Sequence, residues 1–259
     1  MIQQHLIKQP LSGLGYLLKG TKLLSHPKLR VFVLIPLLIN IIIFASAFWF
    51  LFSTIMQWVD SYITGLPEFL SWLSYLFWPI LIFTILFAFT FVFATVANLI
   101  AAPFNGLLAE KTEFLLTNQS AGDSGLSDLL KDLPRIFKRE LQKLAYFLPR
   151  MLFCGVLFFI PAFGQIVAPF IWFVFAGWMM AIQYADFPFD NHKISFATMK
   201  TSLKQRPGKN LTFGMLVSFL TTIPIINFFI MPIAVCGATA FWVDLYKDEL
   251  TGQEISANR

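Results

Sequence analysis

Apolar positions in this chain gather into four long blocks, separated by stretches that hold nearly all of its charge. The block 31–56 contains no charged residue and starts just after Pro27, Lys28 and Arg30. About 20 apolar residues carry a helix across a bilayer, so 31–56 predicts a first transmembrane helix. The block 69–102 is longer than one crossing needs and predicts a second, tilted and extending past one interface. Trp49 and Trp58 near the end of the first span, and Trp72, Tyr75 and Trp78 at the start of the second, sit where interfacial aromatic belts lie.

The remaining two blocks, 151–185 and 211–243, are also uncharged, but each carries two prolines eight positions apart. Pro161 and Pro169 interrupt the first and Pro224 and Pro232 the second, with Gly164 and Asn227 between the members of each pair. At 35 and 33 residues, each block is generous for one crossing and meagre for two. Proline removes a backbone donor and ends or kinks a helix. In lipid such a break survives only where protein or a water-filled cavity satisfies the freed groups. Paired interrupted segments therefore point to a transport site, the plainer alternative being two kinked structural spans.

Charge decides how these blocks cross. Residues 1–30 hold five Lys/Arg, 103–150 seven, 186–210 five and the tail from 244 two, which accounts for all 19. The connection 57–68 holds none, only Asp60 and Glu68. By the positive-inside rule that connection faces outward, and both termini face the cytoplasm. A single crossing of each broken block would leave Lys193, Lys200, Lys204, Arg206 and Lys209 outside. A hairpin returning to its own side keeps every basic residue inside. Arms of 11–15 residues reach ~16–22 Å at 1.5 Å per residue, short of a hydrocarbon core of ~30 Å. The expectation is a pair of hemi-penetrating helical hairpins with Pro-rich tips buried in the membrane.

Two further stretches read as amphipathic helices on the cytoplasmic face. In 10–24, Leu11, Leu14, Leu17 and Leu18 oppose Lys19 and Lys22. In 127–150, Leu129, Leu133, Ile136, Phe137, Leu141, Leu144 and Leu148 recur at helical spacing, beside a basic stripe of Lys131, Arg135, Lys138 and Arg139. Such a helix suits a surface of anionic headgroups. Residues 118–126 read as a flexible loop.

Composition agrees: 57% of residues are hydrophobic, 13% are charged and 31 are Phe. A soluble domain of 259 residues has no interior large enough for that. The net charge of +5 is too dispersed to suggest nucleic acid. The first 30 residues are mixed and basic, without a cleavable signal pattern. Cys154 and Cys236 read as buried small hydrophobes. No Gly-rich phosphate loop is present, His5, His26 and His192 are scattered, and no metal or cofactor set stands at ligand spacing. Glu110 and Glu113, interrupted by Lys111, read as part of a solvated helix turn. Nothing indicates an enzyme.

One constellation does suit an anion. In Ser25-His26-Pro27-Lys28-Leu29-Arg30, proline takes the first helical position behind a polar cap. The helix start offers N–H groups and the positive end of its dipole, and Arg binds oxyanions through paired donors. The plainer alternative is a cluster of positive charge that only orients the first span.

Several segments closely resemble the CysZ family of bacterial inner-membrane sulfate permeases. They are Pro27-Lys-Leu-Arg-Val-Phe-Val-Leu-Ile-Pro-Leu-Leu-Ile-Asn40, Asn98-Leu-Ile-Ala-Ala-Pro-Phe-Asn-Gly-Leu-Leu-Ala-Glu110, Ala181-Ile-Gln-Tyr-Ala-Asp-Phe-Pro-Phe-Asp-Asn-His-Lys193 and Ile230-Met-Pro-Ile-Ala-Val-Cys-Gly-Ala-Thr-Ala-Phe-Trp-Val-Asp244. The resemblance covers roughly 10–248. It implies sulfate uptake for cysteine biosynthesis, and two transmembrane helices with hemi-penetrating hairpins. It also implies a sulfate site at Ser25, Lys28, Leu29 and Arg30. Relatives are expected to carry two adjacent arginines there, whereas this chain has Arg30-Val31, so Lys28 would supply the second charge.

A divalent anion cannot enter hydrocarbon, where one charged side chain already costs several kcal/mol. A polar route is needed, and its candidates are Asn40, Asn98, Asn105, Gln165, Gln183 and Asn227, with Glu110 and Arg135 as a gating pair. Singly, each also suits an inter-helix hydrogen bond. Two spans and two half-hairpins make a thin pore wall, so a homo-oligomer is expected. The fold class expected is an all-α integral membrane protein with a single membrane domain over 1–259. Its parts are a cytoplasmic N-terminus 1–30, helices 31–56 and 69–102, a cytoplasmic segment 103–150, hairpins 151–185 and 211–243, and a cytoplasmic tail 244–259. Its partners would be the lipid bilayer and sulfate, with sulfite or other oxyanions as alternatives. The competing function is a membrane-shaping scaffold whose wedge-like hairpins bend the bilayer.

Overall fold

The computed structural model describes residues 11–63, 73–119 and 126–251. Every regular element among the described residues is a helix. In chain order they are α1 (Gly13–Leu24), α2 (Pro27–Ile63), α3 (Leu73–Thr117), α4 (Leu126–Val156), α5 (Phe163–Ile166), α6 (Ala168–Asn191), α7 (Phe196–Gln205), α8 (Pro207–Thr221) and α9 (Pro224–Leu245). Three described stretches are long and apolar enough to cross a membrane: Pro27–Val59, Pro134–Phe159 and Ala168–Asn191. The all-α membrane class expected from the apolar blocks is what the chain adopts. Of the expected outward connection 57–68, residues 57–63 continue α2 and 64–68 lie outside the described residues, as do 120–125 of the expected loop 118–126.

The proline pairs act differently from one another. The first break lies at the first proline of its block: a 3-10 turn, Leu157–Phe159, leads into Ile160–Ala162. Ala162 has φ 62° and ψ −47°, and the Phe163 N–H donates to the Pro161 carbonyl at 2.7 Å. That is a γ-turn of the strained kind. The second break is shorter, at Thr222–Ile223 immediately before Pro224. Pro169 falls in the first turn of α6, where its missing N–H costs nothing, and Pro232 lies inside α9.

The helices run beyond the apolar blocks that predicted them. α4 passes through position 150 without interruption to Val156, and α6 has 24 residues, about 36 Å at 1.5 Å per residue. The charged end of α6 is covered by protein, and on α4 Arg139 and Lys143 are buried against it. The apolar ends around the first break are bare, including Leu152, Phe153, Phe159, Ile166 and Phe170.

The chain divides into two compact units, residues 33–104 and the remainder. In the first, Phe89 of α3 meets Phe44 and Phe48 of α2 edge-on, with ring centroids 6.2 and 5.3 Å apart. Most other described side chains in this unit are exposed and apolar, as a helix pair bathed in lipid requires.

The second unit is built on close helix crossings. A Cβ at Gly214 of α8 would lie 1.9 Å from the Gly177 carbonyl of α6, and one at Gly20 of α1 would lie 2.3 Å from the Ile233 carbonyl of α9. Only glycine permits backbones to approach so closely. Around these crossings the Tyr16 ring stacks on Phe241 at 4.3 Å, and Trp242, Phe189 and Tyr246 form a buried aromatic cluster.

Candidate functional site

The expected oxyanion site lies where α1 hands over to α2. Ser25 closes α1, with its N–H and hydroxyl both donating to the Thr21 carbonyl, and α2 begins at Pro27. His26 bridges the two. Its carbonyl accepts from the Leu29 and Arg30 N–H groups at 3.0 and 3.3 Å, and its Nδ1 accepts from the Lys28 N–H at 3.3 Å. The backbone donors expected to greet an anion are thus engaged by His26, so recognition falls to side chains.

Leu29 is fully buried and anchors the turn, while Ser25, Lys28 and Arg30 are exposed. Neither Lys28 nor Arg30 has an ion-pair or hydrogen-bond partner for its side chain among the described residues, which leaves both cations available. At about 100° per residue, the two leave the α2 axis on opposite sides of Leu29. One anion can meet both only where the side chains reach past the helix start.

Of the route candidates, Asn40 lies in the first span with its Oδ1 buried and without a hydrogen-bond partner. Among the described residues nothing donates to this oxygen, and a buried polar atom in a membrane span is costly. Asn98 is within α3, and its side chain lies outside the described residues. Asn105 donates to the Met231 sulfur at 3.4 Å. Gln165 and Asn227 are exposed on α5 and the first turn of α9, just past the two breaks, and Gln183 is half-buried in α6. The carboxylate of Glu110 pairs with Lys111 at 3.0 Å, whereas Arg135 pairs with Asp190.

The arrangement missing from the sequence reading is a set of buried ionic clusters. Arg135, Arg139 and Lys143 climb α4 at intervals of four, and Asp186 and Asp190 descend α6 at the same interval. With α4 and α6 antiparallel, the two ladders meet. Arg139 Nε donates to Asp186 at 2.7 Å, Lys143 Nζ lies 3.0 Å from the same carboxylate, and Arg139 also donates to the Ile194 carbonyl. Arg139, Lys143 and Asp186 are all buried. The matched spacing was the available signal.

A second cluster joins three elements. Both oxygens of Glu113 lie 2.9 Å from His192 Nε2, and Lys247 Nζ stands 2.8 Å away. Glu113 is fully buried, so the solvated turn expected for Glu110 and Glu113 is not what forms. Burial alone would raise this carboxyl's pKa, but the hydrogen bonds from His192 and Lys247 outweigh it and hold the pKa below the ordinary value. Among the described residues no group of His, Cys, Asp and Glu stands in a metal-holding arrangement.

Comparisons with known proteins bear on all of this. The family model described as sulfate transporter CysZ/etoposide-induced protein 2.4 matches residues 16–232. A relative from Vibrio atlanticus (strain LGP32), named "Sulfate transporter CysZ", is 54% identical over 240 residues, which cover 93% of this chain and 95% of the relative.

Proposed function

The chain belongs to the family of sulfate transporter CysZ and etoposide-induced protein 2.4, and from that membership we infer that it carries sulfate across a membrane. It is a transporter and not an enzyme. The observation that carries this is the 54% identity to the Vibrio protein along nearly the full length of both chains. We place it in a bacterial inner membrane with both termini in the cytoplasm, supplying sulfate to cysteine biosynthesis.

The geometry supports a division of labour. Ser25, Lys28 and Arg30 gather the anion at the start of α2, with Leu29 fixing the turn. Onward passage needs polar groups, and Asn40, with its orphaned carbonyl oxygen, is the first available along α2. Asn98, Asn105, Gln165, Gln183 and Asn227 are further candidates for the lining. The hairpins insert tip-first, because bare apolar surface surrounds the first break while the basic residues lie away from it. A homo-oligomer closes the pore wall, since two spans and two half-hairpins make a thin one.

Purified protein in sealed liposomes is expected to admit radiolabelled sulfate without ATP or any partner. Selenate should compete, because a guanidinium and ammonium site reads charge and tetrahedral shape, and sulfite is the next anion to try. Arg30→Ala should weaken sulfate binding by about one to two decades, as loss of a charge-assisted hydrogen bond costs roughly 1.5–3 kcal/mol. Folded protein giving uptake no faster than empty liposomes, while deforming them, would favour the membrane-shaping alternative.

A further inference from the structure

An open groove of roughly 650 Å³ lies between α4, the end of α6 and the start of α7. Six cationic side chains line it, against the single carboxylate of Asp190. Two of the six, Arg135 and Arg139, are engaged by Asp190 and Asp186. Lys138, Arg150 and Lys200 leave a surplus of positive charge. Arg150 and Lys200 come from different helices onto the same ring, 3.7 and 4.6 Å from the Tyr146 centroid, with no carboxylate between them. Lys138 and Lys200 have no ion-pair or hydrogen-bond partner among the described residues. Like charges converging without a counter-ion repel each other, and an anion in the groove removes that repulsion.

The groove also has an apolar flank. Phe137, Leu141, Leu144 and Leu148 form an exposed stripe along α4. Lys138 and Ala145 on the groove's rim are the i,i+3 and i,i+4 neighbours of Leu141, so stripe and groove share an edge. A soluble anion would use the cations and leave the stripe in water. A lipid uses both.

We propose that this groove is a binding site for an anionic phospholipid, its phosphate among Lys138, Arg150 and Lys200 and an acyl chain along the stripe. The site is separate from the turn between α1 and α2 that we assign to sulfate, and stands whether or not that assignment does. Two fixed basic residues near a membrane surface are enough to favour an anionic lipid over a zwitterionic one by about thirtyfold.

The test is native mass spectrometry of full-length protein released from micelles holding equal amounts of phosphatidylglycerol and phosphatidylcholine with matched chains. Wild-type protein should retain phosphatidylglycerol about thirtyfold more. Lys138→Gln with Lys200→Gln should bring the two lipids near parity, and Lys138→Arg with Lys200→Arg should keep the preference, with unchanged circular dichroism in both. Millimolar inorganic phosphate or sulfate should leave the retained lipid in place. Parity in the wild type, or an undiminished preference in the Gln variant, overturns the proposal. So does displacement of the lipid by free phosphate or sulfate, which would make the groove a site for a soluble oxyanion.

Discussion

Glu113 stands where α3, the end of α6 and Lys247 just beyond α9 converge, and its charge ties the three together. Its folded-state pKa is depressed by His192 and Lys247. A carboxyl of this kind contributes stability above its unfolded pKa of about 4.3 and loses it as pH falls through the lower folded value. Glu113→Gln should therefore lower the thermal midpoint in micelles at pH 7. The loss should be roughly 1.5–3 kcal/mol, the range for hydrogen bonds to a charged group. The gap from wild type should close below pH 4.3, and a gap that persists undiminished into acid would mean that packing, not charge, is lost. This role was illegible because nothing local to Glu110-Lys111-Thr112-Glu113 says that His192 and Lys247 lie across from it. The ladders of Arg135, Arg139 and Lys143 against Asp186 and Asp190 were legible in principle, since two complementary sets shared one spacing.

At the scale of single elements, the first hairpin turns on two adjacent demands. Ala162 holds a left-handed backbone that alanine tolerates poorly, and a Cβ at Gly164 would lie 2.2 Å from the Phe158 carbonyl. The two positions should respond oppositely. Ala162→Gly should raise stability by about 1 kcal/mol through relief of strain, whereas Gly164→Ala should lower it by about 1–3 kcal/mol by forcing the tip apart. Equal tolerance of both in thermal unfolding would mean that the tip rearranges freely. The breaks were readable because proline chemistry acts on its own turn. The arm lengths were not, because ion pairs carry α4 and α6 past the apolar blocks, and hydropathy is blind to a charge that is paired.

For the whole molecule, the one-sided distribution of Lys and Arg is the strongest directional signal, and it yields a topological prediction. In a background lacking Cys154 and Cys236, single cysteines at Lys138 and Lys204 should react with an impermeant maleimide only from the cytoplasmic side. One at Ser61 should react only from outside. Labelling of position 204 from outside would replace the first hairpin's return with a crossing. Class and family could be read from the chain because composition and long motif blocks are global properties. The partition at 33–104 follows the outer limits of the first two apolar blocks, although α2 and α3 each run through a boundary without a break in the helix.

The seating of α1 has a consequence for how the protein is made. Its main neighbours are α8 and α9, and Lys19 pairs with Asp244 across 225 positions of sequence. A ribosome adding about 5–20 residues per second needs roughly 10–45 s to cover that distance. Until α8 and α9 follow, α1 lacks the surface that receives it. Gly13, Tyr16, Leu17 and Gly20 must wait uncovered until those two helices leave the exit tunnel. Chains stalled before α9 should then be the natural substrates of membrane proteases, and the N-terminal helix the handle by which unfinished copies are recognised.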